Sequence, residues 1–427
     1  MNSLNLKVEK IDFLNGEITI PADKSISHRA AMFSCLTGGI VEIDNYSIGA
    51  DCKSTLNIIE RLGCNIQYLS ENSVRIDATN AFKKHSYNLD CGNSGTSMRL
   101  FSGIVAAKDI ETRLFGDQSL SARPMKRIIV PLELMGAKIK HDKFKAPLLI
   151  KGAELFPIDY NSPIASAQVK SCILLAGLNT VGTTKVTEPY LSRNHTEKML
   201  EYFGAEIEVS GTTVSIKKSQ LQPKNLRVCG DVSSAAFFLV AAAIVPNSDV
   251  LIKNVGLNPT RTGVIDALTQ MGADIEISDE RLECNEPVGD IRVKQSSLKG
   301  ITIEGEIIPR LIDELPVIAV AASLADGVTV VKDASDLRNK ESDRIKCLVT
   351  ELRKIGVDIE ETPDGFIIQG KKSLSGGCIT NCYHDHRLAM SWYVAGLVTE
   401  NPIVINEFQW VDVSFPEFLP MMNSLRS

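Results

Sequence analysis

The 427-residue sequence predicts an α/β protein of two similar lobes, each assembled from three copies of one repeat. Three observations carry this prediction. A helix that ends in glycine and runs into a strand recurs along the chain, a second helix rich in small residues recurs in step with it, and the last repeat runs out of chain before its closing strands.

The first ladder reads "IIERLGCNI", "PLELMGAKI", "MLEYFGAEI", "ALTQMGADI" and "ELRKIGVDI", with Gly63, Gly136, Gly204, Gly272 and Gly356 at the helix ends. Glycine suits that position because the left-handed cap conformation is free of penalty only without a Cβ. Two alternating strands follow each glycine, as in "AEIEV", the turn "SGT" and "TVSIK". The second ladder reads "SISHRAAMFSCL", "SGTSMRLFSGIVAA", "SAQVKSCILLAGL", "DVSSAAFFLVAAA", "DELPVIAVAASLA" and "DHRLAMSWYVAGL". These helices are apolar nearly all round, which places them inside a lobe, with polar residues only at their starts. Six repeats of about 70 residues account for the chain, each reading helix, strand, helix, glycine, strand, strand.

The sixth repeat ends at "FPEFLPMMNSLRS" without its closing strands, and the N-terminal pair "LNLKVEK" and "GEITIP" can supply them. That closure argues for two closed lobes over a solenoid. The expected domains are residues 1–20 plus 229–427, carrying repeats four to six, and residues 21–228, carrying repeats one to three.

Composition narrows the function. With 44% apolar residues, 23% charged residues and a formal charge of −6, bulk charge suggests neither nucleic acid nor an anionic membrane as partner. The longest small-apolar stretch, "AAFFLVAAAIV", is far shorter than a bilayer span, and a cytoplasmic protein is expected. The ten cysteines are scattered through apolar segments and read as reduced core thiols. The cluster "CITNCYHDHR", Cys378–Arg387, matches no common zinc spacing and reads as two buried thiols beside a polar helix start, so no metal is assigned.

Any anion must therefore be met locally, and the helix starts are where cations gather. A helix N-terminus offers free N–H groups and about half a positive charge. At the first, "DKSISHR", Lys24, Ser25 and Arg29 can surround a phosphate as point charge, hydroxyl and planar fork. The second, "CGNSGTSMR", puts Asn93, Gly95, Thr96 and Arg99 in a loop suited to close backbone approach by an oxyanion. The third supplies Ser166, Gln168 and Lys170; the fifth, Asp313 and Glu314; the sixth, His384, Asp385, His386 and Arg387. Loops before the other helices add Arg123, Arg127, Arg193, His195, Arg261, Arg338, Lys340, Glu341 and Arg344. So many cations repel one another unless anionic groups bind among them. Asp313 and Glu341 lodge among those cations as proton carriers. Without a Walker loop or a dinucleotide fingerprint, the residues alone indicate an enzyme acting, between two lobes, on small molecules that bear several anionic groups.

"DKSISHRAAM", "GNSGTSMRL", "RPMKRI", "ASAQVKS", "SRNHTEKML", "GDVSSAAFF", "NPTRTG", "IDELPV", "KESDRI" and "DHRLAM" occur in an order that closely resembles the EPSP synthase (3-phosphoshikimate 1-carboxyvinyltransferase) family, from about Pro21 to "SFPEF" at Ser414–Phe418. The resemblance implies an inside-out α/β barrel fold of two lobes, each of three βαβαββ units, closing over 3-phosphoshikimate and phosphoenolpyruvate with no cofactor. It implies transfer of the enolpyruvyl group to the shikimate 5-hydroxyl with release of phosphate, as a monomer of the shikimate pathway. Carried over by position, it implies Lys24, Ser25, Arg29, Ser166, Ala167, Gln168, Arg193, Asp313 and Lys340 as phosphoshikimate ligands. Lys24, Gly95, Arg123, Gln168, Arg344 and Arg387 become the phosphoenolpyruvate site. Asp313 would take the hydroxyl proton, and Glu341, with Lys24, would protonate the methylene carbon.

Ala167 stands where many relatives have a second serine, and Val413 where many have a lysine, so no C-terminal lysine is assigned. Two other readings are weighed. The related UDP-N-acetylglucosamine enolpyruvyl transferase typically has a reactive cysteine on the loop that here reads "GDQSLSARPM", and no cysteine lies between Cys91 and Cys172. A non-catalytic anion-binding repeat protein would need no charged residues at its inner helix starts.

Overall fold

A computed structural model describes residues 5–426. The chain divides into two compact units. One, the N-lobe, spans Ala22–Cys229 and takes in the short segment Leu282–Glu286; the other, the C-lobe, comprises the N-terminal strands up to Pro21, then Gly230–Arg281 and Pro287 onward. The sequence pattern gives no reason to set Leu282–Glu286 apart, because these residues lie at the turn of a continuous hairpin, Asp274–Glu283 and Glu286–Lys294.

The N-lobe consists of three four-stranded sheets of one design. In the second sheet, Ser86–Asp90 pairs parallel with Glu111–Phe115, which pairs antiparallel with Lys145–Lys151, whose outer neighbour is Lys138–Asp142. The third sheet repeats the order with Asp159–Asn161, Thr183–Thr187, Thr213–Lys217 and Ile207–Ser210. In the first sheet, Ile40–Asp44, Val74–Asp77 and Asn65–Tyr68 are opened by Leu226–Arg227, a strand from the far end of the lobe. The lobe thus closes on itself, as a solenoid would not.

Each parallel pair needs a crossover helix. The small-residue helix α1 (Lys24–Thr37) leads into the first sheet and α2 (Ala50–Arg61) follows; the crossovers of the second and third sheets are the small-residue helices α3 (Gly95–Ala106) and, after α4 (Lys126–Leu134), α5 (Ala167–Gly177), with α6 (His195–Tyr202) after it. Residues of α1, α3 and α5 are buried on nearly every face. α3 approaches α5 so closely that a Cβ on Gly103 would lie 2.1 Å from the Cys172 carbonyl oxygen.

The C-lobe repeats the plan. Its internal helices are α7 (Val232–Ile244), α9 (Leu315–Ser323) and α11 (His386–Gly396), with α8 (Gly263–Gln270) and α10 (Arg344–Ile355) completing the repeats. Two of its sheets have four strands and the N-lobe order. The N-terminal strands are shared out differently from the sequence reading, which gave both to the sixth repeat. β1 (Leu6–Val8) pairs antiparallel with Ile403–Asn406 in the last sheet, whereas β2 (Asn15–Thr19) opens the first, parallel to Asp249–Gly256. The reason is the shared plan: every sheet begins with a parallel strand, and β2 fills for this lobe the place that Leu226–Arg227 fills for the other.

All ten cysteines are free thiols, buried except for the half-buried Cys284 and Cys378. Among the described residues no group of three or more His, Cys, Asp or Glu side chains could hold a metal ion, and burial pushes the Cys382 thiol up to about 11. No helix among them is long and apolar enough to cross a membrane.

Candidate active site

The helix starts of the N-lobe are tied to one another by side-chain hydrogen bonds. Asp23 caps α1 by accepting from the Ile26 N–H at 2.8 Å, which turns Lys24 out of the helix toward Asp51 at the start of α2, Nζ to Oδ2 3.2 Å. Arg29 lies one turn on and is buried. Its guanidinium donates to Thr196 Oγ1 (2.7 Å), Ser171 Oγ (3.0 Å) and the Ser25 carbonyl (2.9 Å). Desolvation lowers its pKa to about 10, with Glu197 and Asp23 opposing and neighbouring Arg193 adding to the effect. Beneath it, His28 Nδ1 lies 2.6 Å from Thr55 Oγ1, which lies 2.7 Å from Ser97 Oγ in α3, a buried polar chain linking α1, α2 and α3.

The start of α3 is capped by Ser94, which accepts from the Ser97 N–H. Gly95 follows, and a Cβ there would sit 2.8 Å from Arg99 Nη1 and 3.5 Å from Arg123 Nη1, so glycine keeps two guanidinium groups close to bare backbone. Arg123 donates to Asn93 Oδ1 at 2.8 Å, and Asn93 in turn donates to Asp117. Arg99 donates to Gln168 Oε1 at 2.7 Å while Gln168 Nε2 donates to Thr96 at 3.1 Å, which fixes both ends of the Gln168 amide.

Ser166 and Ala167 open α5. The Ser166 N–H donates to Glu188 Oε1 at 2.8 Å, and Glu188 also accepts from the Ser192 hydroxyl. Glu188 and Glu197 each lie 2.7 Å from the buried Lys170 ammonium. Burial works against that charge, but the two carboxylates outweigh it and raise the lysine's pKa. Sequence reasoning missed Glu188 and Asp51; the available signal was Lys170 itself, a charge inside "AQVKSCILL" that must find partners.

In the C-lobe several charged side chains converge on Arg344, the first residue of α10, whose side chain is 1% exposed. Its Nε donates to Asp385 Oδ2 at 2.8 Å, Nη2 to Glu341 Oε2 at 2.6 Å and Nη1 to Asp313 Oδ1 at 3.2 Å. Desolvation opposes the charge, yet Asp385, Glu341 and Asp313 together raise the pKa well above that of free arginine. Lys340 Nζ reaches the same Asp313 oxygen at 3.4 Å. Arg387, in the first turn of α11, donates its backbone N–H to the capping Asp385 and lies 3.4 Å, through Nη1, from the Asp313 carbonyl oxygen. Asp313, Lys340, Glu341, Arg344 and Arg387 are thus brought together, with Asp385 accepting from the Arg344 guanidinium and from the Arg387 backbone N–H.

This geometry fits anion chemistry with proton transfer, and comparison with known proteins is specific. The model of the EPSP synthase (3-phosphoshikimate 1-carboxyvinyltransferase) family matches residues 8–422. The chain belongs to this family. A 3-phosphoshikimate 1-carboxyvinyltransferase of Petrotoga mobilis is 48% identical over 432 residues, covering 99% of this chain and all of the relative. One of Bacillus subtilis is 48% identical over 424 residues, with 98% and 99% covered. Among solved structures, an EPSP synthase from Acinetobacter baumannii superposes with a TM-score of 0.90 at 42% identity, covering 99% of this chain and 98% of its own. The two-lobed α/β architecture of three repeats per lobe is that of EPSP synthases.

Proposed function

We propose that the chain transfers the enolpyruvyl group of phosphoenolpyruvate to the 5-hydroxyl of 3-phosphoshikimate and releases phosphate, in the cytoplasm and as a monomer, with residues 21–228 and residues 1–20 plus 229–427 as its domains. The observation that carries this reading is the pair of carboxylates, Asp313 and Glu341, held on one buried guanidinium at 3.2 and 2.6 Å. Two carboxylates with different neighbours suit two opposite proton transfers.

Asp313 accepts the 5-hydroxyl proton as that oxygen attacks C2 of phosphoenolpyruvate, and Glu341, assisted by Lys24, delivers a proton to C3, giving a tetrahedral adduct. Loss of a methyl proton back to Glu341 and cleavage of the C2–O bond to the phosphate, which leaves with the proton held by Asp313, then form the enol ether and restore both carboxylates. Arg344 links binding to this chemistry. An incoming anion competes with Glu341 for Nη2, which releases the carboxylate from its tether for proton transfer. Lys24, Ser25, Arg29, Ser166, Ala167, Gln168, Arg193 and Lys340 are the proposed phosphoshikimate ligands beside Asp313. Lys24, Gly95, Arg123, Gln168, Arg344 and Arg387 are those of phosphoenolpyruvate, supported by the bare backbone at Gly95 facing Arg123.

The test is phosphate release from phosphoenolpyruvate with 3-phosphoshikimate, beside the same mixture with UDP-N-acetylglucosamine. Release with phosphoshikimate alone is expected. Asp313→Ala should then bind phosphoshikimate while turnover falls roughly 100- to 10,000-fold. Release only with the sugar nucleotide, or with neither acceptor, would overturn the assignment.

A further inference from the structure

Beside Asp313 in the chain stands a second acidic residue for which the proposed chemistry has no use. Glu314, the N-cap residue of α9, has a fully buried side chain, and its Oε2 has no hydrogen-bond partner. An unsatisfied buried carboxylate oxygen is destabilising, so stability alone gives no reason for an acid here. Its other oxygen, Oε1, accepts from Ser233 Oγ near the start of α7. The direction of that bond is fixed by a third residue. Arg261, itself buried, donates through Nη2 to Ser233 Oγ at 2.6 Å and to Asp231 Oδ1 at 3.1 Å. A guanidinium can only donate, so the single hydroxyl proton of Ser233 points to Glu314.

The cation that faces Glu314 is Arg387, whose Nη1 lies 4.0 Å from Glu314 Oε1 and 3.4 Å from the Asp313 carbonyl oxygen. Asp231 and Ser233 belong to the start of α7, Glu314 to that of α9 and Arg387 to that of α11, so one buried network joins the three internal helices of the C-lobe.

We propose that Glu314 is a positioning residue, which together with Ser233, Asp231 and Arg261 sets the aim of the Arg387 guanidinium for the anionic groups of phosphoenolpyruvate. The proposal rests on the functional reading above. At 4.0 Å the pair is an ion pair without a tight hydrogen bond, which orients the guanidinium yet leaves its donors for a ligand. The network also assigns a purpose to "GDVSSAAFF" and "NPTRTG", two segments that the proposed substrate contacts leave unused.

The experiment is steady-state kinetics with both substrates varied, on the full chain and on Glu314→Gln and Ser233→Ala, with thermal melts of each. Glu314→Gln keeps the shape of the side chain and an acceptor for Ser233 but removes the charge. It should raise KM for phosphoenolpyruvate roughly tenfold, the usual size of a lost charge-assisted contact, while KM for phosphoshikimate stays within about twofold. Ser233→Ala leaves the charge but frees it from its tether, and should shift KM for phosphoenolpyruvate in the same direction by a smaller factor. A purely structural role would lower the melting temperature without separating the two KM values. If the unmodified chain turns over and both variants keep KM for phosphoenolpyruvate within twofold, or change both KM values equally, the positioning role is wrong. Should Glu314→Gln not fold, Ser233→Ala decides alone by the same criteria. An unmodified chain that releases no phosphate sinks the functional reading instead, and the two failures are told apart by that control.

Discussion

Lys170 and His28 are both buried in the N-lobe, yet their neighbours hold them in opposite charge states. Two carboxylates at 2.7 Å keep Lys170 an ammonium and raise its pKa. His28 is paired at Nδ1 with the neutral Thr55 hydroxyl, its Nε2 is unpartnered, and burial lowers its pKa to about 3. The native state therefore keeps His28 neutral, whereas in the unfolded chain it binds a proton near its ordinary value of 6.5. The contribution of His28 is fully present above pH of about 6.5 and is lost progressively as pH falls toward about 3. Urea unfolding between pH 7 and 4 should show the unmodified chain losing stability more steeply than His28→Asn. The excess slope should be up to about 1.4 kcal/mol per pH unit, one proton's worth. Equal slopes for the two proteins would mean that His28 is protonated in the folded state.

The internal helices carry the design from side chain to lobe. Their starts are polar and their bodies small, so that the starts expose N–H groups and the bodies pack against one another without bulky side chains. The crossing of α3 over α5 at Gly103 is the tightest instance. Gly103→Ala would put a methyl group 2.1 Å from the Cys172 carbonyl, a backbone atom that cannot swing aside. We expect a loss of about 1–3 kcal/mol, read as a lower midpoint in chemical denaturation; an unchanged midpoint would mean that the two helices can separate at little cost.

These helices were legible in the sequence because a period of small residues and a capping residue leave local marks, and Asp23, Ser94, Asp231 and Asp385 cap four of them in the structure. Their partners were not legible in the same way. Asp51 for Lys24 and Glu188 for Ser166 stand 27 and 22 residues away, on other elements, where an isolated acid looks like any solvated one. Glu314 was visible as a charge but its orientation was not, since only the folded chain shows that Ser233 and Arg261 reach it.

Across the whole molecule, the informative error concerns the first twenty residues. The repeat count revealed that the sixth repeat lacked strands, and β1 does close it; what the count could not reveal was that the fourth repeat takes its opening strand from β2, because "GEITIP" reads as a strand but its pattern does not name the distant strand it pairs with. Removal of residues 1–20 therefore strips strands from two C-lobe sheets and from none in the N-lobe. Calorimetry and limited proteolysis of the shortened chain should show the C-lobe digested and the N-lobe protease-resistant. Simultaneous loss of both would show that the N-lobe cannot hold its fold without an intact C-lobe.

The arrangement of β1 and β2 also orders events on the ribosome. They leave the exit tunnel first, but the strand that receives β1, Ile403–Asn406, is among the last to be synthesised. The N-lobe is nearly contiguous and can fold during translation, whereas β2 must travel unpaired past about 230 residues and β1 past about 390 before their places exist. The alternating charges in "LNLKVEK" suit that wait, since an exposed strand with lysine and glutamate on one face is a poor template for pairing with a neighbouring nascent chain.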